Sequence, residues 1–429
     1  MVILFLWLAE VGHLLLPSPA WWWPSVLALL ALAALSLPTV RPGTRWLAGA
    51  LFLPAIPLAL FEGKPALLLD GLELALVYPA FLCTIVVVRA AAAVHPAISR
   101  ARERVAALAP RERESGFLLA SHLFGAVVTA GSFAILAPLL GRETPEAERA
   151  ALAIAALRGS CLAVLWSPFF VGMALVTQYM PAVPLWHIAL MGLALAAIGF
   201  AISLAQHGVA GLRGLPAAFH ALWPTVPPVA LAASLIILVS TLAGTKTLHT
   251  VLLVVPPLVA GWLAFQPSTA RREALRQGWA NLARLGEEIL VIVAVTILSG
   301  VLAHSSWTGL LAAPLHAGYL PPVVLLGLLL AAIVAIAVLG VHPMATVAII
   351  LAVLVDGGSP IAPLALAGLG LLGWALGTMI GTSSLSLLVA SSSFAVARSR
   401  LSPGPNGRFA LLFGLAAVSL LGIVDAWLG

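Results

Sequence analysis

Residues 332–394 read AIVAIAVLGVHPMATVAIILAVLVDGGSPIAPLALAGLGLLGWALGTMIGTSSLSLLVASSSF, and the rest of the chain is best read outward from them. An apolar helical pattern fails here three times. Gly340, His342 and Pro343 interrupt the first run, residues 356–360 spell a turn, and residues 377–384 set glycines and hydroxyls inside another run. In hydrocarbon an unpaired backbone group costs several kcal/mol, so such breaks persist only where protein or a water-filled cavity covers them. That makes them candidate ligand sites.

Composition fixes the class. Of 429 residues 62% are hydrophobic and 8% charged, against roughly 25% charged in a soluble domain, and the mean hydropathy is +1.12. The expectation is an all-α polytopic membrane protein with about ten to twelve transmembrane segments, several of them broken. The net charge of +6 comes from arginines lying between apolar segments, the pattern of positive-inside topology and contact with membrane lipid rather than of nucleic-acid binding. Cys83 and Cys161 lie in apolar surroundings and suggest neither a disulfide framework nor a metal site. The opening MVILFLWLAEVGHLLLP lacks a basic leader region and a cleavage signal, and reads as a retained segment.

Apolar segments follow near 2–16, 21–37, 46–60 and 67–88, with Trp21, Trp22 and Trp23 suited to an interfacial belt. Glu10, Asp70 and Glu73 are carboxylates near membrane depth, either functional or interfacial. Residues 95–116 and 268–288, both rich in arginine and glutamate, read as amphipathic helices at the membrane surface. Each precedes an apolar stretch with a polar interruption, which points to an internal repeat. Pro138 matches Pro314, and Trp166-Ser167-Pro168 matches Val341-His342-Pro343, at nearly equal spacing. The organisation expected is scaffold helices over 1–90, a first repeat over 91–206, further scaffold over 207–266, a second repeat over 267–397 and a C-terminal helix over 398–429.

Each unit then holds a surface helix, a re-entrant hairpin, a discontinuous helix and a further crossing. The hairpin tips fall at Thr129-Ala130-Gly131-Ser132 and at 304–308, with a second return arm over 309–320. The discontinuous helices cover 151–180, broken near 158–160 or at Ser167-Pro168, and 324–355, broken at 340–343.

This layout resembles the ion transporter superfamily, which includes divalent-anion/sodium symporters. The resemblance implies inverted repeats, a substrate held where hairpin tips meet helix breaks, and a homodimer joined through the scaffold. It rests on architecture, since the Ser-Asn-Thr signatures of the dicarboxylate branch are replaced by Gly131-Ser132 and Ser305-Ser306 at the tips and by Ser160, Ser167 and His342 at the breaks. Both surface helices are basic, which puts them on one side, and four crossings counted between them agree. Inverted repeats need an odd number, so either a crossing near 212–223 is misread or the repeats are parallel.

The candidate substrate-binding residues are Ser132, Arg158, Ser160, Ser167, Ser305, Ser306, His342, Thr346, Thr382, Ser383 and Ser384. Broken helices aim N-terminal N–H groups at an anion and C-terminal carbonyls at a cation. The competing role of the hydroxyls is bonding to the preceding turn or a neighbouring helix. Arg158, inside an apolar helix, is either a bidentate partner for an anion or a snorkelling side chain. His342 is either a proton-coupling group or a satisfied histidine at a kink, and Asp356 either an ion-coupling carboxylate or a turn residue. No nucleophile elbow, zinc helix or phosphate-binding loop occurs. The function expected is a secondary transporter of a small anionic organic solute, without catalytic activity or cofactor, coupled to Na+ or H+, in a bacterial-type inner membrane. A non-transporting membrane protein for lipid handling or envelope assembly is the main alternative, a membrane-embedded enzyme a lesser one.

Overall fold

The computed structural model describes residues 1–16, 18–141, 143–316 and 320–429, with backbone alone at 19, 209, 210 and 314–316. Every regular element among them is a helix. Five come first: α1 (Val2–Leu15), α2 (Trp22–Ser36), α3 (Pro42–Phe52), α4 (Ala55–Phe61) and α5 (Leu67–Ala93). Then follow α6 (Pro96–Ala106), α7 (Arg113–Val128), α8 (Gly131–Leu136), α9 (Glu146–Ala163), α10 (Val171–Tyr179) and α11 (Leu185–Gln206). The middle of the chain forms α12 (Gly208–Leu222), α13 (Val226–Ala243), α14 (Thr247–Ala264), α15 (Ser268–Leu282), α16 (Gly286–Ala303) and α17 (Ser306–His316). Last are α18 (Pro322–Val338), α19 (Pro343–Asp356), α20 (Pro363–Ile380), α21 (Leu385–Phe394), α22 (Arg398–Leu401) and α23 (Gly404–Leu428). Helices α6, α18, α19 and α20 each open on proline, whose fixed φ suits the first turn and whose missing N–H is not needed there. Eight stretches among the described residues are long and apolar enough to span a membrane, and the chain is an all-α polytopic membrane protein.

Close contacts give the direction of each crossing. The end of α5 meets α15, where Gly278 faces Ala90, while its start meets the end of α16, where Gly71 lies against Ile297 and Gly300. Helices α6 and α15 therefore share a face of the molecule, as their basic character led one to expect. Apart from buried Arg158, the described arginines gather on that face, whereas Lys64 and Lys246, the two lysines, lie at the other.

Helix α7 enters from the arginine face, and the chain turns back at Thr129-Ala130 into α8. Helix α9 runs parallel to α7: Arg113 pairs with Glu148 at 2.9 Å near the starts, and Gly125 packs on Ser160 farther along. Residues 164–170 interrupt the crossing and α10 carries it on toward the lysine face. Helix α11 returns, with Gly192 on Leu165, Gly199 on Leu162 and Ser203 beside Arg158.

The second unit has the same parts in the opposite sense. Helix α18 enters from the lysine face, its Val323 against Gly422 near the end of α23. Along α20, Gly373 and Gly377 meet Ile333 and Ala337 of α18 in parallel order, while Gly377 and Gly370 meet Pro343 and Val347 of α19 in antiparallel order. Helices α18 and α19 therefore form a hairpin with its tip at 339–342. Helix α20 begins at the lysine face, its Ala362 N–H bonded to Asp425 at 2.6 Å. It breaks at 381–384 and continues as α21 to the arginine face, where Phe394 meets Phe117. Helix α23 returns.

The repeats are thus inverted, and the second one is displaced from the expected register. It covers 322–428 rather than 267–397 and absorbs the helix assigned to 398–429. The segment 324–355 is the second hairpin, not a discontinuous crossing. Helix α16 crosses the bilayer in full, so 304–308 is a turn at the lysine face rather than a mid-membrane tip. Of the expected return arm over 309–320, residues up to 316 are helical, and 317–319 lie outside the described residues, as does the side chain of Pro314. The parity conflict disappears because the inverted counterpart of α6 is α17, on the opposite face, and not α15.

The core centres on α20. Its extended span Pro363–Phe394 is 94% buried along its most apolar window, against 17% for Gly211–Ala243 at the periphery. Small residues allow this, since without a hydrophobic drive between helices in lipid, close backbone approach supplies dispersion energy. Gly370, Gly373 and Gly377 admit α10, α18 and α19.

Candidate functional site

Four interruptions of the chain meet halfway across the molecule: the two hairpin tips and the two helix breaks. In the first tip Thr129 adopts φ 52°, ψ −129°, the geometry of the first central residue of a type II′ turn, where glycine is preferred. A β-branched residue there is strained. Ser132, just past the tip, is fully buried with its hydroxyl 3.3 Å from that of Ser121.

The first break is tied to that hairpin. Ser167 donates to the carbonyl of Ala126 at 2.5 Å, and its Oγ accepts from the Phe169 N–H at 3.3 Å. Trp166 Nε1–H donates to Nε2 of His122 at 3.0 Å, and His122 Nδ1 lies 3.2 Å from the carbonyl of Gly159. An indole nitrogen only donates, so Nε2 accepts, and the proton of neutral His122 sits on Nδ1 and is given to Gly159. Ser160 faces Gly125 within the same contact.

The second unit repeats the device. Thr382 donates to the carbonyl of Val338, at the end of α18, at 3.1 Å, as Ser167 does to Ala126 near the end of α7. At the second tip Gly340 takes φ 104°, and His342 caps α19, its Nδ1 accepting from the Met344 N–H at 3.2 Å. Thr346 lies buried in the next turn. Ser384 caps α21 by accepting from Leu387 at 3.3 Å and donates to the carbonyl of Thr378. Thr382 and Ser383 are exposed within the most enclosed crossing of the molecule, and the Ser383 hydroxyl has no protein partner among the described residues.

Two contacts join the halves at the level of the breaks. Cys161 Sγ lies 3.9 Å from Thr378 Oγ1. The ring of Trp374 meets that of His342 edge-on at 5.6 Å between centroids, and a Cβ at Gly172 would stand 3.0 Å from it. The first turns of α10 and α19 therefore flank one indole. With α21, three helix N-termini meet at this level, and α10 has no side-chain cap. Each such end carries about half a positive charge and free N–H groups, while the ends of α7, α9, α18 and α20 offer carbonyls. On the arginine face a cleft of about 420 Å³ runs between α8 and α21, past Ala134, Pro138, Arg149 and Ser393. From the centre toward the lysine face the equivalent pair α10 and α19 is closed, Val176 and Val347 both resting on Gly370.

Ser132, Ser160, Ser167, His342, Thr346, Thr382, Ser383 and Ser384 thus belong to one region, and the other sequence-derived candidates lie elsewhere. Arg158 is 2% exposed on the opposite side of α9, with Nε on Asn406 Oδ1 at 2.9 Å, one terminal nitrogen on Ser203 at 3.3 Å and the other on the Pro405 carbonyl at 3.0 Å. Its guanidinium also covers Phe409 at 4.7 Å. Ser305 bonds its own helix end, and Ser306 donates from N–H and hydroxyl to Glu62 at 2.9 and 2.5 Å. Asp356 ends α19 on that same face, about 20 Å by helical rise from His342.

Sequence reasoning missed Trp374, His122 and Trp166. Trp374 is the one aromatic residue in a helix of glycine, alanine and leucine, a signal available in the sequence. The pairing of His122 with Trp166 across 44 positions left none. The chain matches no protein-family model and no curated protein.

Proposed function

We propose that this protein is a secondary active transporter of a small anionic organic solute, with the two repeats moving against the scaffold as in the ion transporter superfamily it resembles. One observation carries this reading: Thr382 and Ser383 stand exposed halfway along the most buried crossing, level with three helix N-termini, and a cleft opens to the arginine face at the far end of α21. Such a site suits an anion, which helix dipoles and N–H groups hold without a formal countercharge. Arg158 is not needed for it, since its donors are engaged within the fold.

Carbonyls at the ends of α9 and α20, with nearby hydroxyls, suit Na+ as the coupling ion. Proton uptake at His342 would fall on Nδ1, the atom that caps α19, so proton coupling there would sacrifice the cap. The arginine face is assigned to the cytoplasm of a bacterial-type inner membrane by the positive-inside rule, and pairing of two copies through the scaffold follows from the resemblance.

Uptake into proteoliposomes tests the reading. A panel of carboxylates, sulfonates and amino acids is offered with and without Na+ and pH gradients. At least one anion is expected to accumulate and to stabilise the purified protein against heat, both effects being lost in Ser383→Ala at unchanged melting temperature. Absence of any solute-dependent stabilisation or uptake, together with co-purifying proteins, would instead mark a non-transporting assembly partner.

A further inference from the structure

A second site lies away from the centre, on the lipid-facing side of the scaffold. Between α5, α14 and α15 runs a groove of about 340 Å³ whose apolar floor includes Val87, Val259, Ala260 and Leu263 and whose mouth holds Arg271 and Leu275. Its origin is in the sequence. Pro256 and Pro257 sit inside α14 and remove two successive N–H donors, which loosens the helix at the point where the groove begins. The floor runs from Pro256 to Ala264, about 12 Å along the helix, from the arginine face toward the interior. At its upper end His95 stacks on Trp262, with centroids 5.0 Å apart.

The charge at the mouth is unbalanced. On α15, Arg276 is occupied by Glu273 at 2.7 Å, but Arg271 and its neighbour Arg272 have no acidic partner among the described residues, and both are exposed. The free guanidinium of Arg271 at the mouth of an apolar trough, with exposed Arg272 following it on α15, matches a molecule with an anionic head and a hydrocarbon tail. We propose that this groove binds one anionic glycerophospholipid, its phosphate on Arg271 and Arg272 and an acyl chain along Val259, Ala260 and Leu263. A second copy of the chain fits less well, because a two-fold contact through this face would bring two like-charged arginine pairs together. The inference is independent of any transport activity.

The test uses the full chain, delipidated in a non-ionic detergent, with thermal unfolding and native mass spectrometry as readouts. Phosphatidylglycerol is expected to raise the melting temperature and persist as a one-to-one adduct, more than phosphatidylcholine of the same chains, while glycerol phosphate without chains does neither. R271Q/R272Q is expected to weaken the phosphatidylglycerol affinity about thirtyfold, since each interfacial arginine contributes roughly a factor of five. Ala260→Trp, which fills the trough and leaves the arginines, is expected to remove the adduct as well. Equal response to both lipids, or a preference that survives R271Q/R272Q, overturns the proposal. So does an Ala260→Trp protein that loses its oligomeric state while keeping its lipid preference, the result expected if the groove were instead a contact between copies.

Discussion

Nε2 of His122 receives the indole N–H of Trp166 at 3.0 Å, and through that bond the first hairpin and the first helix break become one unit. Trp166→Phe keeps an aromatic ring, though a smaller one, and removes the donor. It leaves a buried imidazole nitrogen unpaired, a loss of about 1–3 kcal/mol, and is expected to lower the melting temperature. His122→Gln, able to accept from Trp166, is expected to lose less.

Arg158 presents the opposite of an open anion site. Three of its nitrogens hold the junction of α11 and α23, so Arg158→Ala orphans Asn406 and the Pro405 carbonyl and is expected to destabilise by about 2–3 kcal/mol. Arg158→Lys should rescue little, because a single ammonium cannot reach acceptors arranged for a planar fork. Thermal unfolding with and without an anion that stabilises the wild-type protein separates the roles: a lower melting point with an unchanged anion-induced shift is expected.

Helices α7 and α9 touch through Gly159, where an added Cβ would collide with the Leu118 carbonyl, whereas at Gly309 it would meet open space. Gly159→Ala must separate two backbones and is expected to cost about 3 kcal/mol or more. Gly309→Ala in α17 should be neutral or slightly stabilising, by up to about 1 kcal/mol. The two melting temperatures, measured side by side, check the contrast.

Acid sensitivity is expected at the surface helix α6. His95 caps it, Nδ1 accepting from the Ala97 N–H at 3.1 Å, and burial, then the nearby Arg100, hold the imidazole below its ordinary value of 6.5. The unfolded chain therefore binds the extra proton first, so this contribution is complete above that pH and is lost as the pH falls through the depressed value. His95→Asn keeps an accepting cap without a titrating group and should flatten the dependence of melting temperature on pH between neutral and mildly acidic conditions. His95→Ala should lower stability by about 1 kcal/mol at neutral pH and by less in acid, where the wild-type cap is itself lost.

Water access to the centre can be read with thiols. Cys83 and Cys161 are both buried and should resist a membrane-impermeant thiol reagent in native protein. Ser383→Cys should be modified and Ala390→Cys, at 0% exposure, should not. Slower labelling of Ser383→Cys in the presence of an anion that stabilises the protein would locate that anion at the centre.

The class of protein, the two arginine-rich helices (shorter than the segments 95–116 and 268–288 read for them, whose last residues open α7 and α16) and the positions of all four interruptions were legible in the sequence, because each rests on local chemistry: hydropathy, arginine placement, and glycine, proline or hydroxyl inside an apolar run. His342-Pro343 and His95-Pro96 even share a spelling, an imidazole cap followed by proline in the first turn. The pairing of the halves was not legible. Their symmetry is carried by shape, with Ser160 on Gly125 answered by Gly377 on Ala337, and Thr129 at one tip answered by Gly340 at the other. In a chain built so largely of leucine, alanine and valine, prolines such as Pro138 and Pro314 align by coincidence, and that coincidence moved the second hairpin from 339–342 to 304–308. Arg158 misled for a related reason, since its partners Asn406 and Ser203 lie far away in the chain and are visible only after folding.

The closed seam at Val176, Gly370 and Val347 has a larger consequence when set beside the cleft between α8 and α21. The two places belong to helix pairs related by the inverted symmetry, so if the protein is the carrier proposed above, its opposite state follows from giving each half the other's posture, closing beside Ser393 and opening beside Val347. A covalent tie from Val176 to Val347 would then hold the protein facing the arginine compartment, like a door with a single working hinge.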